Sequence, residues 1–208
     1  MIDLSQASFI GPQLSDPRTP AELPPDLRNL LRSANGFVLF GGGLHVRGWC
    51  ETPEWHSLHR VWTGEDSLAR AYPFVRPDDV PFAEDFLGDQ FLLRGGKVAR
   101  LAGELGEVEK LGMGLNEFLD SAQANPDQFL SLNLLRRFQR QGATLEPGQL
   151  LSVYPPLCTK EAAAGVSLRA VPASERIRFL ADWARQISAV PDGAKVQVTC
   201  EDDVKTSR

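Results

Sequence analysis

The stretch Pro81–Leu101, PFAEDFLGDQFLLRGGKVARL, decides the fold of this chain. It contains two short apolar-rich runs, Gln90–Arg94 and Lys97–Leu101, which are joined by Gly95 and Gly96. A Gly-Gly connection supplies the positive φ angles that tight hairpin turns need. The stretch therefore predicts an antiparallel hairpin.

The two-residue turn also predicts which residues face each other across the hairpin. The expected partners are Leu93 with Val98 and Phe91 with Arg100 on one side, and Leu92 with Ala99 and Gln90 with Leu101 on the other. Both sides carry apolar residues. This favours a central strand pair, covered on two faces, over a half-exposed edge.

Upstream of the hairpin, the sequence predicts a helix and a second strand pair. Segment Leu23–Gly36, LPPDLRNLLRSANG, has a proline in its first turn, leucines at helical spacing and an Asn-Gly stop. Phe37–Phe40 and Leu44–Trp49 predict strands joined by the triplet Gly41–Gly43. Such a triplet could cradle a phosphate, but the helix start and partner residues of phosphate-binding motifs are missing, so we interpret it as a turn.

The remaining elements are expected to surround this sheet. Further strands are predicted at Glu107–Leu111, which completes a β-meander, at Leu150–Tyr154, and at Lys195–Cys200, which joins the sheet. Helices are predicted at Glu54–Tyr72 with an interruption at Thr63-Gly64, at Gly114–Ala124, from an Asn125 cap to Gly142, and at Pro172–Val190. Loops are predicted at Pro73–Pro81 and over residues 154–166.

These elements predict a soluble α+β domain. A chain of 208 residues with 42% hydrophobic residues is long enough for one well-formed core. We expect an irregular N-terminal arm over residues 1–20, a single domain over residues 21–200 and a mobile tail over residues 201–208.

Charge and composition narrow the functional classes. The net charge of −5 argues against direct nucleic-acid binding, which normally shows a basic footprint. No apolar run of about 18 residues occurs, so no membrane span is expected, and the N-terminus lacks the pattern of a secretory signal. The cysteines, Cys50, Cys158 and Cys200, are odd in number and far apart, which fits a reducing cytoplasm better than a disulfide framework.

Two candidate reactive groups stand out, and both lack the residues that their chemistry needs. His56 and His59 could share a metal on one helix face, but no further ligand lies at a recognisable spacing. Cys158 lies two residues from Lys160, whose charge could lower the pKa of the thiol. A cysteine nucleophile also needs a base and an orienting partner, and nothing in the sequence ties a histidine to it. We predict no cofactor and no metal.

Several segments together resemble the SUKH superfamily, also called the Smi/Knr family. They are the Leu23-Pro24 lead into a short helix that ends at Asn35-Gly36, the glycine-rich strands that follow, and the hairpin GDQFLLRGGKVARL. The resemblance covers roughly residues 20–125. Residues 126–200 lie outside it, as a largely helical C-terminal extension.

The resemblance implies a single α+β domain with a bent, mainly antiparallel sheet and helices packed around it. Many bacterial SUKH proteins are immunity proteins that bind toxin domains, often nucleases, and fungal relatives regulate cell-wall synthesis through protein contacts. The family has no shared catalytic constellation. We therefore expect a cytoplasmic, non-enzymatic protein-binding module whose partner is a protein, for example a nuclease-like toxin domain.

An acidic surface would complement a basic partner of this kind. The candidate partner-binding residues precede the hairpin and are Asp78, Asp79, Glu84, Asp85 and Asp89. The same residues could simply be solubilising surface. Two other functions stay open: a small hydrolase or ligand-binding protein that uses Cys158, His56 or His59, and a scaffold subunit that acts only in assembly.

Overall fold

The computed structural model describes residues 2–14 and 22–188, and within them the fold is α+β. One sheet contains β1 (Phe9–Ile10), β2 (Phe37–Leu39), β3 (Leu44–Val46), β4 (Val80–Asp85), β5 (Gln90–Arg94), β6 (Lys97–Leu101) and β7 (Val108–Lys110). Each of these strands pairs antiparallel with the next. A separate antiparallel pair is formed by β8 (Gln149–Tyr154) and β9 (Ser167–Pro172).

The α-helices in the described ranges are mostly short. They are α1 (Pro25–Ser33), α2 (Leu58–Trp62), α3 (Leu68–Ala71), α4 (Leu115–Ala124), α5 (Pro126–Phe129), α6 (Asn133–Arg140) and α7 (Ala173–Ser188). Short 3-10 turns lie at Glu54–His56 and Lys160–Ala164. None of the described helices is long and apolar enough to cross a membrane.

The central hairpin is confirmed. Gly95 and Gly96 have φ angles of 58° and 78°, as a two-residue turn of this kind requires. The predicted partners across β5 and β6 are the observed ones. The turn between β2 and β3 is likewise confirmed, with positive φ at Gly41 and Gly42.

Helices cover the sheet on both faces. On one face, leucines of α1 and aromatic residues of α4 and α6 pack on Phe91, Leu93 and Val98 of the hairpin. On the other face, α2, α3 and α7 pack on Leu92 and Leu101. The prediction of a central pair covered on two sides is therefore confirmed.

Strand β4 was not predicted from the sequence. The acidic residues and Pro81, which has no backbone N–H to donate, argue locally against a central strand. The strand accommodates the proline beside a bulge: Pro81 lies opposite Leu92, but Ala83 lies opposite Phe91. The bulge also shifts the alternation of the strand, so that Glu84 lies opposite Gln90, on the face away from Phe91.

Two predicted helices are interrupted in the structure. The stripe over Glu54–Tyr72 breaks at Ser57, whose backbone is extended and whose hydroxyl caps α2 by accepting from the N–H of Arg60. The helix that begins after the Asn125 cap ends at Phe129, and a new helix starts at Asn133. Ser131 lies between them with a φ of 53°, a left-handed conformation that no helix contains.

Two strands lie in segments where none was predicted. Within the arm expected over residues 1–20, Phe9 and Ile10 form β1 and pair with β2. In the C-terminal extension, strand β9 was not predicted. Strand β8 is connected to the main sheet, because Leu151 donates its N–H to the carbonyl of Phe86 at 2.7 Å. The predicted strand at Lys195–Cys200 and the tail lie outside the described residues.

Candidate functional site

The acidic residues that precede the hairpin do not share one exposed face. Asp78 is exposed, whereas Asp79 is 1% exposed and accepts two hydrogen bonds from Arg94, at 2.7 and 2.6 Å. Arg94 also donates to the carbonyl of Phe74 at 2.8 Å. Asp79 therefore fastens the Pro73–Pro81 loop to the hairpin and is not available to a partner.

Glu84 lies in a buried polar cluster that spans three strands. The polar cluster consists of His45, Arg47, His56, Glu84 and Gln90, all of which are buried. The Arg47 Nη2 donates to Glu84 Oε2 and to Gln90 Oε1, both at 2.7 Å. Its Nη1 donates to the carbonyl of Pro81 at 3.0 Å. The cluster thus joins β3, β4 and β5 on the sheet face opposite Phe91.

His45 and His56 extend the polar cluster to the loop before β2. His45 Nδ1 lies 2.9 Å from Glu84 Oε1, and its Nε2 lies 2.9 Å from Nδ1 of His56. His56 Nε2 donates to the carbonyl of Asn35 at 2.9 Å. A side chain at Gly36 would meet the His56 ring at 2.5 Å, so only glycine allows the loop to approach it.

These contacts determine how many protons a complete chain of hydrogen bonds through the histidine pair needs. Three hydrogen bonds run in line from Asn35 to Glu84 through His56 and His45, and both end groups, a carbonyl and a carboxylate, only accept. Two neutral imidazoles supply one proton each, which leaves one hydrogen bond without a proton. The 2.9 Å contact between His45 Nδ1 and Glu84 Oε1 therefore needs one more proton, whose uptake the burial of His45 opposes.

The surroundings shift the titration of each group. Burial alone would raise the pKa of Glu84, but the charge of Arg47 and the hydrogen bond from His45 outweigh it and lower that pKa to about 2. Burial lowers the pKa of His45, and its hydrogen bond to Glu84 opposes that effect. Burial and the neighbouring His45 lower the pKa of His56 to about 4. The charges of Arg47 and Glu84 thus stabilise the cluster from within. The cavity beside His45 and Glu84 measures only about 10 Å³, which is room for about one water molecule.

Acid should remove the stability that neutral His56 provides. Between pH 6.5 and about 4 the unfolded chain binds a proton on His56 that the folded chain does not, so stability falls as the pH is lowered. Relative to His56→Gln, the wild type should lose about 3 kcal/mol of unfolding free energy over this interval. His45, Arg47 and Glu84 are the charged and titratable groups that act on His56.

Urea unfolding at several pH values measures this difference. Titrating groups outside the polar cluster are common to the wild type and the variant and cancel in the comparison. His59→Gln is the matched control, because His59 is exposed and packs on Trp49. Parallel pH profiles for the wild type and His56→Gln would contradict the assignment.

Asp85 and Asp89 lie together at the end of β4. Asp85 Oδ1 accepts the backbone N–H groups of Leu87, Gly88 and Asp89, at 2.9, 3.0 and 3.0 Å. Asp89 is half-buried and pairs with Arg100, which donates from Nε at 2.9 Å and also from Nη2. Burial and the charge of Asp89 raise the pKa of Asp85 to about 8.

A cavity of about 140 Å³ opens beside Asp85, on the sheet face that α4–α6 cover. Asp85 and Arg100 line one part of it. The remaining lining residues are Phe91, Leu111, Met113, Phe129, Leu130 and Ser131.

Cys158 does not meet a histidine. Its backbone N–H donates to Glu104 at 3.1 Å, and its thiol accepts from the indole N–H of Trp183 at 3.4 Å. Burial raises the pKa of Cys158, whereas the sequence predicted that the charge of Lys160 could lower it.

His56 and His59 also lie apart, because His56 is inside the polar cluster and His59 is at the surface. Among the described residues, no group of three or more histidine, cysteine or acidic side chains could hold a metal ion.

The polar cluster was not foreseen from the sequence. His45 and Arg47 alternate with Leu44 and Val46, a pattern that is typical of a strand with one solvated face. The structure buries that face. The only sequence signal of a buried polar group was the predicted position of Gln90 opposite Leu101 in the hairpin.

Three large apolar side chains near Glu104 and Cys158 in the sequence are exposed: Leu105 and Leu157 lie in loops, and Tyr154 is the last residue of β8. Leu105, Tyr154 and Leu157 are 43%, 67% and 41% exposed, although large apolar side chains usually pack inside. The hydrogen bond from Cys158 to Glu104 holds the two loops together. We refer to Leu105, Tyr154 and Leu157 as the Tyr154 surface.

No protein-family model matches the chain, and no curated protein matches it.

Proposed function

We propose that the chain is a non-enzymatic protein-binding module of SUKH type, which acts by covering part of its partner's surface. The Tyr154 surface is the observation that carries this proposal. Aromatic side chains are enriched at protein contact sites, and Tyr154 is the most exposed of the three. The hydrogen bond between Cys158 and Glu104 joins the two loops that carry Leu105 and Leu157.

The placement of the polar groups supports a role in binding over a role in catalysis. The groups of the polar cluster hydrogen-bond to one another, and Cys158 contacts Glu104 and Trp183 and no histidine. These side chains maintain the scaffold. We therefore propose that the protein acts through its surface and not through these buried groups.

The partner that we propose is a nuclease-like toxin domain in the cytoplasm, as for bacterial SUKH proteins. The net charge of −5 complements the basic surface of a nuclease and would speed the encounter. Asp78 and the half-buried Asp89 can take part in this attraction. Asp79, Glu84 and Asp85 form hydrogen bonds inside the protein. Their contribution to binding is to maintain the fold.

Affinity capture from the native cells tests this function with three baits: the wild type, Tyr154→Ser and Phe74→Ser. Phe74 is the matched control, because it is 63% exposed on a different loop. We expect the wild type and Phe74→Ser to retain one stoichiometric protein that carries a toxin-like domain, and Tyr154→Ser to lose it. Retention by all three baits would reject the Tyr154 surface, and the absence of any stoichiometric protein would contradict the protein-binding role.

A further inference from the structure

The histidine pair of the polar cluster lies against the first strand of the sheet. Phe9 of β1 packs its ring on His56, with 4.9 Å between the ring centroids. The backbone of Gly11 lies against the same histidine, since a Cβ atom there would come within 2.4 Å of His56 Nε2. The carbonyl oxygen of Asn35, which accepts from His56, would lie 2.0 Å from that atom. His56 therefore contacts the N-terminal segment as well as the loop before β2.

Residues 8–12, which we call the N-terminal strap, are joined to the sheet by backbone groups at its edge. The N–H of Ser8 donates to a carbonyl of β2 at 3.0 Å, and the N–H of Gly11 donates to the loop before β2 at 2.9 Å. The carbonyl of Pro12 accepts from the side chain of Asn35 at 2.8 Å. The strand in this segment, β1, is only two residues long. Such a short edge strand can open without unfolding of the rest of the sheet.

The histidine pair can accept one additional proton in its present geometry, but not two. The chain of three hydrogen bonds from Glu84 to Asn35 is complete when the two rings carry three protons between them. The one ring nitrogen that is then unprotonated lies at the contact between His45 Nε2 and His56 Nδ1, which are 2.9 Å apart. A further proton would make two N–H groups of two charged rings face each other. Its uptake therefore separates the two rings.

His56 is the ring that can move. His45 is held in the interior of the sheet, because its strand pairs with β2 on one side and with β4 on the other. His56 belongs to the 3-10 turn Glu54–His56, which lies outside the sheet. A displacement of His56 removes its hydrogen bond to Asn35 and its contacts with the strap.

We propose that the histidine pair is an acid-sensitive switch that holds the N-terminal strap on the sheet. In acid, His56 separates from His45 and the strap detaches from β2, while the remaining strands stay paired. Detachment leaves the outer edge of β2 with unpaired backbone groups, which is the kind of edge that pairs with another extended segment. The switch therefore regulates access to one edge of the sheet. It is independent of the Tyr154 surface and of the proposed partner.

The surroundings of His56 determine the pH range of the switch. The pKa of His56 is about 4 in the closed form, and exposure to water returns it toward 6.5. Between these values the open form binds a proton that the closed form does not, so the closed form loses stability as the pH falls. His45 and Arg47 of β3 and Glu84 of β4 are the charged and titratable groups that act on His56. Its contacts with the strap, through Phe9 and Gly11, are uncharged.

Residue-resolved amide exchange, measured by NMR on the full-length protein at about pH 7.5 and about pH 5, tests the proposal. We expect the protection of the Ser8 and Gly11 amides, corrected for the intrinsic effect of pH, to fall by about thirtyfold or more in acid. His56→Gln does not titrate and should abolish this pH dependence. His59→Gln is the matched control and should retain it, because His59 is exposed and outside the polar cluster.

Exchange of the wild type in about 1 M urea distinguishes local detachment from global unfolding, and it keeps the test decisive if His56→Gln does not fold. The effect of urea scales with the surface that opening exposes, so exchange at Ser8 and Gly11 in acid should not change with urea. Protection of these amides that is independent of pH, exchange that urea accelerates as in global unfolding, or an unchanged pH dependence in a folded His56→Gln protein would each overturn the proposal.

Discussion

Glu84→Gln is expected to lower the free energy of unfolding by about 3–5 kcal/mol. Glu84 is the one carboxylate in the polar cluster, and it accepts from both Arg47 and His45. The substitution keeps the shape of the side chain but leaves the Arg47 guanidinium, which is 0% exposed, without a counter-charge. An uncompensated buried charge is far more costly than a lost surface pair.

Chemical denaturation of the wild type, Glu84→Gln and Asp78→Asn measures this effect. Asp78 is exposed, so its substitution should change stability by no more than about 0.5 kcal/mol. Adding Arg47→Met to Glu84→Gln should restore part of the loss, because it removes the charge that was left unpaired. If Glu84→Gln is as mild as Asp78→Asn, the ion pair does not stabilise the fold.

Phe118→Ala is expected to cost about 3–5 kcal/mol of unfolding free energy. Phe118 lies on α4 and is 0% exposed. Its ring centroid is 5.5 Å from that of Phe82, 4.6 Å from Phe91 and 5.3 Å from Phe129. It therefore joins two strands of the sheet to α5, and its removal leaves a cavity that the rigid sheet cannot close.

The matched control for this substitution is Phe74→Ala. The same side-chain atoms are removed, but Phe74 is largely exposed, so the change should stay within about 0.5 kcal/mol. Thermal and urea unfolding compare the two variants. Equal losses would show that Phe118 is not the centre of the apolar core.

Local sequence signals predicted the elements whose stability is decided locally. The register of β5 and β6 follows from Gly95 and Gly96, because a two-residue turn leaves a single pairing. The stripe of α4 was predicted residue by residue, since Leu115, Phe118, Leu119 and Ala122 are the buried positions. The side chain of Asn125 caps α5 as expected.

Elements that depend on distant contacts were not predictable in this way. β4 is a central strand despite Pro81, because the bulge and both neighbouring strands hold it in place. β9 pairs with β8 across a long connection, and no turn signal joins them. Ser131 interrupts a continuous helical pattern at a position that no local sequence signal marks.

The candidate acidic site shows the same limit most clearly. A sequence gives the charges of Asp79, Glu84 and Asp85, but not the cations that they meet. Arg94 lies 15 positions from Asp79, and Arg47 lies 37 positions from Glu84. Charged residues are mostly exposed, so a surface was the natural expectation, and tertiary pairing placed these carboxylates inside.

Hydrogen–deuterium exchange of the purified complex tests the central claim, that the protein works through the Tyr154 surface and not through its interior polar groups. We expect the partner to protect the backbone amides of residues 102–106 and 154–166, with no change in those of the polar cluster. Protection that is confined to the Asp78 loop, or that is absent from residues 154–166, would contradict this account.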